Sequence, residues 1–372
     1  MKRTQLFTRP ASLFAGAGLG LMIPLGSALA TDYVVDSAAD NTDADGVITL
    51  REAVLAANTN TAVGDAPAGE ADGDTIAFDA GNPLTGGGVE AVTLTTPLSI
   101  EDDVSISGSL NAVTGTTVTI SGGDATQLFV VDTAAAAGSE AAVTISDVTL
   151  TEAIAQSGAV LNIAAGAEVT LTDVVVSDSE TTGADAGMGG AVFNAGTLTV
   201  TNGAFTNNVA SGASGSGGAL LSNGTLTVTG TSFTGNVANR AGGAVELGGS
   251  STSSFSGVTM SDNSHGTPMP GNGGALHVSG SGHVTLTGGT YSNNSAGSEG
   301  GALWNSAGMM TIDGAASFTG NTALGDAPDN GGGALMIRRA PRSTLGATPA
   351  LFRAMSDNSH GTPMPGNGGA LT

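Results

Sequence analysis

The residues whose types and spacing best suit chemistry lie near the amino terminus and carry side-chain oxygens. Asn41, Asp43, Asp45 and Glu52 fall at positions 1, 3, 5 and 12 of a twelve-residue loop, and Gly46 falls at position 6. An EF-hand loop places calcium ligands and its turn glycine at these positions. The spacing predicts a calcium site formed by the four side chains, and calcium is the one cofactor that the sequence suggests.

The same stretch also fits a polar turn followed by a capped helix, without any metal. Position 1 is Asn where Asp is usual, and residues 33–36 read as a strand where an EF-hand has its entering helix. Thr49 and Glu52 form a capping box in front of the helix-forming residues 50–57. At the level of sequence, the calcium loop and the capped helix both remain open.

Few residues in the rest of the chain suit catalysis. Parallel β-helices include polysaccharide lyases and hydrolases, which need paired carboxylates and, for a lyase, a basic residue. Between residues 31 and 337 the only basic residues are Arg51 and Arg240. Glu246, Asp262 and Glu299 fall in different repeats. We therefore predict no catalytic residues and no enzyme; two carboxylates grouped with Arg240 in one groove would favour the enzyme instead.

Two histidines and the single tryptophan are explained without a functional site. His277 and His283 would share a face only if they lie on one strand, and two lone imidazoles are a weak zinc signal. We interpret Trp304, the single tryptophan, as a packing residue.

Repeats must position all of these residues. A Gly-Gly-Ala-apolar tag begins at Gly189, Gly217, Gly242, Gly273, Gly300, Gly332 and Gly368. Most of these tags are followed by an aromatic residue or Met, two further residues and Asn, with Asn at 208, 236, 263, 294, 321 and 358. An alternating segment such as residues 197–201 or 225–229 lies between the two tags. Repeats of this length, with turn residues between short strands, indicate a solenoid.

The predicted fold is all-β: a right-handed parallel β-helix with about three short strands per coil and a short amino-terminal capping helix. Stacked coils would place Ala191 and its equivalents in one inward ladder, and Phe205 and its equivalents in another. The Gly pair would provide positive φ or a close backbone approach at a corner. We interpret the repeated Asn residues as a corner ladder rather than as a ligand-binding row.

Composition narrows the class of protein. The 372 residues include 60 Gly, no Cys and 3% aromatic residues, which is unlike an ordinary globular core. The net charge is −23, and Lys2 is the single lysine. Such a chain does not attract nucleic acid or anionic lipid by its charge.

The chain divides into four predicted segments. Residues 1–30 read as a secretory signal, so Thr31 is the expected mature start, with no transmembrane helix after it. Residues 31–75 form the amino-terminal cap, and residues 76–336 form the β-helix repeats. Residues 337–372 are an irregular basic junction with a duplicated partial coil, which we interpret as a truncated end whose open edge favours self-association.

Two family resemblances follow from these motifs. Residues 45–54, followed by Asn58 and residues 73–78, resemble the CSLREA domain of bacterial surface β-helix proteins. The chain departs from that family at Ile48, where the family name has Cys, and at Thr49, where it has Ser. The Gly-Gly-Ala-apolar and aromatic-x-x-Asn tags are similar to the polymorphic outer membrane protein repeats of autotransporters. Both families imply surface display and adhesion more often than chemistry.

The resulting functional expectation is an exported, non-enzymatic protein of adhesin or autotransporter-passenger type. It would lie at the cell outer membrane or cell surface, or be secreted, and bind or scaffold through its solenoid face. Its partner would be an unknown surface ligand, either a carbohydrate or a protein of a host or cell surface. The alternatives are a carbohydrate-active enzyme, meaning a polysaccharide lyase or hydrolase, and a calcium-stabilised structural rod.

The calcium hypothesis has a direct test. A bound ion stabilises the folded chain, so millimolar calcium should raise the melting temperature and a chelator should reverse the rise. Asp43→Asn should weaken the response. A melting temperature that is the same with calcium and with chelator would exclude the calcium-stabilised rod.

Overall fold

A computed structural model describes residues 30–70, 73–81, 88–111, 116–132, 141–183, 187–265, 271–306, 308–325, 331–337, 344–345 and 352–360. These residues form a parallel β-solenoid of about eight turns with a single helix. The predicted fold class is confirmed. Apart from Ala30, the predicted signal segment lies outside the described residues.

Four sheets run along the solenoid, one strand of each per complete turn. The first sheet contains Asp32–Val35, Asp74–Phe78, Val104–Ser107, Ala142–Ser146, Glu168–Thr172, Thr197–Thr201, Thr225–Thr229, Thr252–Ser256, His283–Thr287, Met309–Asp313 and Thr344–Leu345. The second contains Ala91–Thr93, Thr116–Ser121, Val148–Thr151, Val175–Ser177, Ala204–Thr206, Ser232–Thr234, Thr259–Ser261, Thr290–Ser292, Ala316–Thr319 and Phe352–Ser356, and Ser109–Asn111 pairs antiparallel with its second strand.

The third sheet contains the two-residue strands Ile154–Ala155, Glu180–Thr181, Val209–Ala210, Val237–Ala238, Ser264–His265, Ser295–Ala296, Thr322–Ala323 and Ser359–His360. The fourth contains Leu98–Ile100, Phe129–Val131, Leu161–Ile163, Val192–Asn194, Leu220–Ser222, Val245–Leu247, Leu276–Val278, Leu303–Asn305 and Leu335–Ile337. A complete turn therefore has four strands, whereas the sequence predicted about three. The additional strand is the two-residue strand of the third sheet. Two residues are too few to show the alternation by which strands are recognised.

Alternating apolar and polar residues explain why the segments of the first sheet form strands with one buried side. In Thr225–Thr229 the apolar Leu226 and Val228 point inward and are buried, while the three threonines point outward and are exposed. The neighbouring turns repeat this pattern in register. Each inward side chain therefore lies above its equivalent in the previous turn, which gives a thin, continuous core.

The glycine tags turn the chain into the fourth sheet. Gly189 has φ +65, and a Cβ there would lie 1.9 Å from the Val192 carbonyl oxygen. A Cβ on Gly190 would lie 2.0 Å from the carbonyl oxygen of Gly218 in the next turn. The predicted need for positive φ and for close approach is thus confirmed. The tag alanines are fully buried, as expected: Ala191, Ala219, Ala244, Ala275, Ala302 and Ala334.

The aromatic ladder lies on the inner side of the second sheet. Phe205 stacks on Phe233 with ring centroids 4.9 Å apart, and Tyr291 stacks on Phe318 at 4.8 Å. Met260 continues the ladder between these two pairs. Burial raises the pKa of Tyr291 above its ordinary value.

The repeated asparagines form a buried amide ladder at the corner between the second and third sheets. Asn263 Oδ1 accepts from the backbone N–H and from Nδ2 of Asn236, both at 3.0 Å. Asn263 Nδ2 donates to the Phe233 carbonyl at 2.9 Å and to Asn294 Oδ1 at 3.0 Å. The same pattern joins Asn208, Asn236, Asn263, Asn294, Asn321 and Asn358. The corner-ladder interpretation is confirmed, because the amides from Asn208 to Asn321 are fully buried and direct their hydrogen bonds into the protein.

The helix spans Leu50–Thr59 and packs against the strands Asp74–Phe78 and Leu98–Ile100. Thr49 is its N-cap, the capping box with Glu52 is complete, and Asn60 ends the helix in the left-handed region. The helix covers the first turn with a buried apolar side, as the predicted cap requires.

The described part of the carboxyl-terminal segment continues the solenoid. Thr344–Leu345, Phe352–Ser356 and Ser359–His360 extend the first, second and third sheets. The register shifts by one residue between Ala316 and Ser317, where the second sheet meets this segment. Most of the basic junction and of the duplicated copy lies outside the described residues.

We predict that Asn263→Ala lowers the free energy of unfolding by about 2–4 kcal/mol, because it leaves buried donors and acceptors of two neighbouring turns unpaired. Urea unfolding followed by circular dichroism measures the change. Asn223→Ala, at an exposed position, is the matched control and should change stability by less than about 0.5 kcal/mol. Equal effects of the two substitutions would contradict a structural role for the amide ladder.

Candidate functional site

The predicted calcium residues lie in a loop that is held by its own hydrogen bonds. Asn41 Oδ1 accepts from the Asp43 N–H at 3.2 Å. Asp65 Oδ2 accepts from the N–H groups of Asp45 at 2.6 Å and Gly46 at 2.7 Å. The side chains of Asp43 and Asp45 belong to exposed residues, so the loop presents them to solvent.

Glu52 points away from that exposed loop surface. It is fully buried, its Oε2 accepts from the Thr49 N–H at 2.8 Å, and its Oε1 accepts from the Asp65 N–H at 3.4 Å. A Cβ on Gly64 would lie 1.8 Å from Glu52 Oε1, so a glycine is needed there. Among the described residues no three Asp, Glu or His side chains are grouped so as to hold a metal ion. The structure uses Glu52 as a cap, and calcium binding stays a prediction.

Arg51 joins the helix to the first turns. Its Nε and Nη2 contact the two carboxylate oxygens of Asp40 at 2.8 and 3.0 Å, and Nη2 also donates to the Thr96 carbonyl at 2.7 Å. Asp40 Oδ2 accepts from the N–H and hydroxyl of Thr95, both at 2.6 Å. Burial opposes ionisation of Asp40, but the bonds from Arg51 and Thr95 outweigh it and hold the pKa of this carboxyl below its ordinary value. Arg51 is thus bound into the cap.

The most concentrated group of polar and aromatic side chains lies on the outer side of the fourth sheet. Glu246, His277 and Trp304 occupy the middle positions of three successive strands and pair in register. The His277 Nδ1 atom forms a very short contact with a carboxylate oxygen of Glu246. The rings of His277 and Trp304 stack with centroids 4.4 Å apart. All three residues are buried even though they point away from the core.

Two further residues complete this group, which we call the fourth-sheet cluster. Arg240 Nη2 lies 3.3 Å from Glu246 Oε1, and Arg240 Nε donates to Ser216 Oγ at 2.8 Å. The Trp304 Nε1–H donates to Glu299 Oε2 at 2.7 Å. Glu299 lies just before the glycine tag, on the bridge ladder that runs beside the sheet. The structure thus groups the carboxylates of Glu246 and Glu299 with Arg240, which the sequence did not predict. Both carboxylates are buried and neither lines a described groove, so the criterion set for an enzyme is met in the grouping but not in the groove.

The chemistry open to the fourth-sheet cluster is limited by its burial. Glu246 and Glu299 are 1% and 2% exposed, and each holds a protein partner. A carboxylate paired with Nδ1 fixes the orientation of an imidazole, as in many catalytic dyads. Here the edge of the ring contacts Glu246 and a face of the ring is stacked on Trp304, which points to packing and polar satisfaction.

The remaining candidates lie elsewhere. His283 is exposed on the first sheet, so it does not share a face with His277. Asp262 lies in the turn after the second sheet with φ +57, a left-handed position that Asn293 occupies in the next turn. Short polar side chains tolerate this conformation, which explains the Asp without a functional role.

An array of hydroxyls, half of them on exposed residues and half on partly exposed residues, covers the outer side of the first sheet. Its central row is unbroken over nine described residues, Thr75, Ser105, Thr144, Thr170, Thr199, Thr227, Ser254, Thr285 and Thr311. A second row, two residues further along each strand, contains Ser107, Ser146, Thr172, Thr201, Thr229, Ser256 and Thr287. We call these two rows the hydroxyl face.

A shallow groove borders the hydroxyl face at the corner with the fourth sheet. Its volume is about 350 Å³, and it is lined by Gly166, Ala195, Gly196, Thr197, Asn223, Gly224, Thr225, Ser250 and Thr252. A second groove, at the corner with the second sheet, is lined by Gly257, Val258, Thr259, Gly289, Thr290, Ala315 and Ser317. Neither lining contains a charged residue, and only the first groove adjoins the fourth sheet and the start of the first-sheet strands.

No protein-family model, curated protein or solved structure matches this chain. The similarity to the CSLREA domain and to polymorphic outer membrane protein repeats therefore rests on the quoted motifs and stays a prediction. Within the described ranges, no helix is both long and apolar enough to cross a membrane.

Asp40 gives a pH prediction. Because its folded pKa is lowered, its stabilising contribution is complete above the unfolded value of about 3.9 and is lost as pH falls through the folded value. We expect Asp40→Asn to cost about 1–3 kcal/mol at pH 7 and to cost progressively less below pH ~4. Urea unfolding at several pH values, with Asp43→Asn as the exposed control, measures this. A cost that did not change with pH would contradict the assignment.

Proposed function

We propose that this chain is an exported, non-enzymatic solenoid of adhesin type that binds a surface ligand through the hydroxyl face. The observation that carries the proposal is the unbroken and uncharged central row of the first sheet, in which five of the nine residues are exposed and four are partly exposed. Exposed residues on a rigid scaffold make few packing contacts, so they are available for recognition. The sequence resemblances, which imply surface display, support the same function.

The fourth-sheet cluster supports the carbohydrate-active alternative less than the hydroxyl face supports a binding protein. A glycosidase needs two carboxylates that reach the substrate from opposite sides of a bond. Glu246 and Glu299 meet Arg240, His277 and Trp304 instead and are buried. A sugar chain would have to displace these partners before it could reach either carboxylate.

Charge favours a neutral ligand. The whole chain carries −23, so anionic polymers are repelled by its other surfaces. Neither row of the hydroxyl face contains a charged residue from Ser105 to Thr287. Hydroxyls both donate and accept hydrogen bonds, so they suit neutral surfaces that are themselves rich in hydroxyl groups.

A retention experiment tests this proposal. The labelled full chain is mixed with microcrystalline cellulose, with chitin and with cultured epithelial cells, and the bound fraction is measured after washing. A variant with Thr227→Lys and Thr285→Lys places two charges in the central row at exposed positions, where substitutions rarely affect folding. We expect retention on at least one of these surfaces, and at least a tenfold loss in the variant.

The matched control carries Thr259→Lys and Thr290→Lys, two exposed threonines on the second sheet. It should bind like the unmodified chain. Circular dichroism confirms that both variants are folded. Retention that is lost only in the control, or no retention on any of the three surfaces, would contradict binding through the hydroxyl face.

A further inference from the structure

The hydroxyl face repeats in two dimensions. Neighbouring strands of a sheet lie about 4.8 Å apart, so hydroxyl-bearing residues recur at that distance along the solenoid axis. Outward positions along a strand are two residues apart, which is about 6.6 Å. Thr199 and Thr201 begin such a pair of rows, and Thr227 and Thr229 repeat it one turn later. The face is therefore a lattice of one functional group, and its natural ligand is a surface with a similar lattice.

Water in a tetrahedral lattice has nearly this repeat. When each O–H···O distance is about 2.75 Å and each oxygen has four tetrahedral neighbours, next-nearest oxygens lie about 4.5 Å apart. The same geometry gives a repeat of about 7.3 Å perpendicular to the puckered layers of the lattice. Both values agree with the protein spacings to within about a tenth. We infer that the hydroxyl face binds ice, with the threonine and serine hydroxyls occupying positions of lattice water. This inference rests on the proposed function, because it names the ligand of the same face.

Threonine suits this ligand for two reasons. Its hydroxyl donates and accepts like water, while its methyl group leaves neighbouring waters to bond to one another. Its β-branched side chain is stiff about χ1, so equivalent residues in equivalent strands present their hydroxyls in the same way. The central row contains seven threonines and two serines among its nine described members.

The lack of charge supports the same ligand. An ion orients nearby water around itself and disrupts a regular lattice. Between Ser105 and Thr287 the two rows hold no Asp, Glu, Lys or Arg, although the chain contains 32 acidic residues. Acidic residues border the two rows: Asp32 pairs with Thr75 at one end, Asp313 pairs with Thr287 at the other, and Glu168 lies two residues before Thr170 on its strand. Other acids near this sheet lie in turns, as Asp147 and Asp173 do at left-handed positions.

The second sheet also carries a row of hydroxyls, but these are occupied within the protein. Thr151 and Ser177 hydroxyls are 3.1 Å apart, and those of Thr234 and Ser261 are 3.2 Å apart. These four residues are only partly exposed, whereas Thr227, Ser254 and Thr285 of the central row are exposed. On the hydroxyl face, the Ser254 hydroxyl donates to the Thr227 hydroxyl at 3.5 Å, a longer contact than either of those on the second sheet, and both residues are exposed.

A crystalline neutral polysaccharide is the competing ligand. A sugar ring presents an apolar C–H face, which an aromatic side chain covers well. The outward positions of the first sheet between residues 105 and 313 contain no Phe, Tyr or Trp. The face therefore favours the water lattice, and the polysaccharide becomes an outcome of the test.

The test is inhibition of ice recrystallisation, together with the fraction of protein that enters a slowly growing ice hemisphere. The full chain, the Thr227→Lys/Thr285→Lys variant and the Thr259→Lys/Thr290→Lys control are compared at equal concentration. We expect the full chain and the control to inhibit recrystallisation and to enter the ice. The central-row variant should need at least tenfold more protein for the same inhibition.

The outcomes separate the two levels of the proposal. Retention on cellulose, chitin or cells without any effect on ice would overturn ice binding and leave the proposed binding face intact. No effect on ice and no retention would overturn both. Equal loss in the central-row variant and in the control would overturn the assignment to the first sheet. Ice inhibition lost only in the central-row variant supports the inference.

Discussion

In-register parallel pairing between successive turns is the interaction on which the rest of the structure depends. Because each residue pairs with its equivalent one turn later, every side-chain choice is repeated at the strand spacing. Apolar residues then stack into a core that is only one side chain deep on each side. Polar residues stack as well, and a buried amide is tolerable only because the next amide satisfies it. Five successive hydrogen bonds between side-chain amides, from Asn208 to Asn358, meet this condition. Adding a turn requires a repeat rather than a larger core.

The same constraint governs charge. Like charges stacked at the strand spacing repel, so an acidic residue at an outward position needs a different neighbour. Glu246 shows the solution, since the next turn supplies His277 and the preceding loop supplies Arg240. Several other acids, such as Asp147 and Asp173, lie in turns, where the left-handed conformation suits Asp. The fourth-sheet cluster is therefore best understood as a place where three successive turns break the repeat and satisfy one another.

Much of the fold could be predicted from sequence, because residues that recur at a fixed position of each repeat show which side chains stack on one another. The glycine tags, the inward alanines, the aromatic ladder and the asparagine corner all follow from residues recurring at corresponding positions. The two-residue strands after each Asn could not be predicted, since nothing alternates over two residues. The fourth-sheet cluster was missed for another reason. Glu246 and His277 are 31 residues apart, and only the strand register shows that they are neighbours. Counting two positions past each tag alanine would have aligned Glu246, His277 and Trp304.

The hydroxyl face raises the question of what stacking alone requires. Strand propensity favours threonine at exposed positions, and stacking disfavours charge, so neither observation by itself demands a ligand. Stacking of strands would be satisfied equally well by Val or Ile at these positions. It also does not require two adjacent rows to consist of Thr and Ser without interruption. An isolated threonine binds water as any surface hydroxyl does. Residues in register form a periodic surface, and a periodic ligand can contact several neighbouring members at once, so that weak contacts add up with little further ordering cost. The core needs the repeat for its own stability, and the outer face acquires its lattice as a consequence.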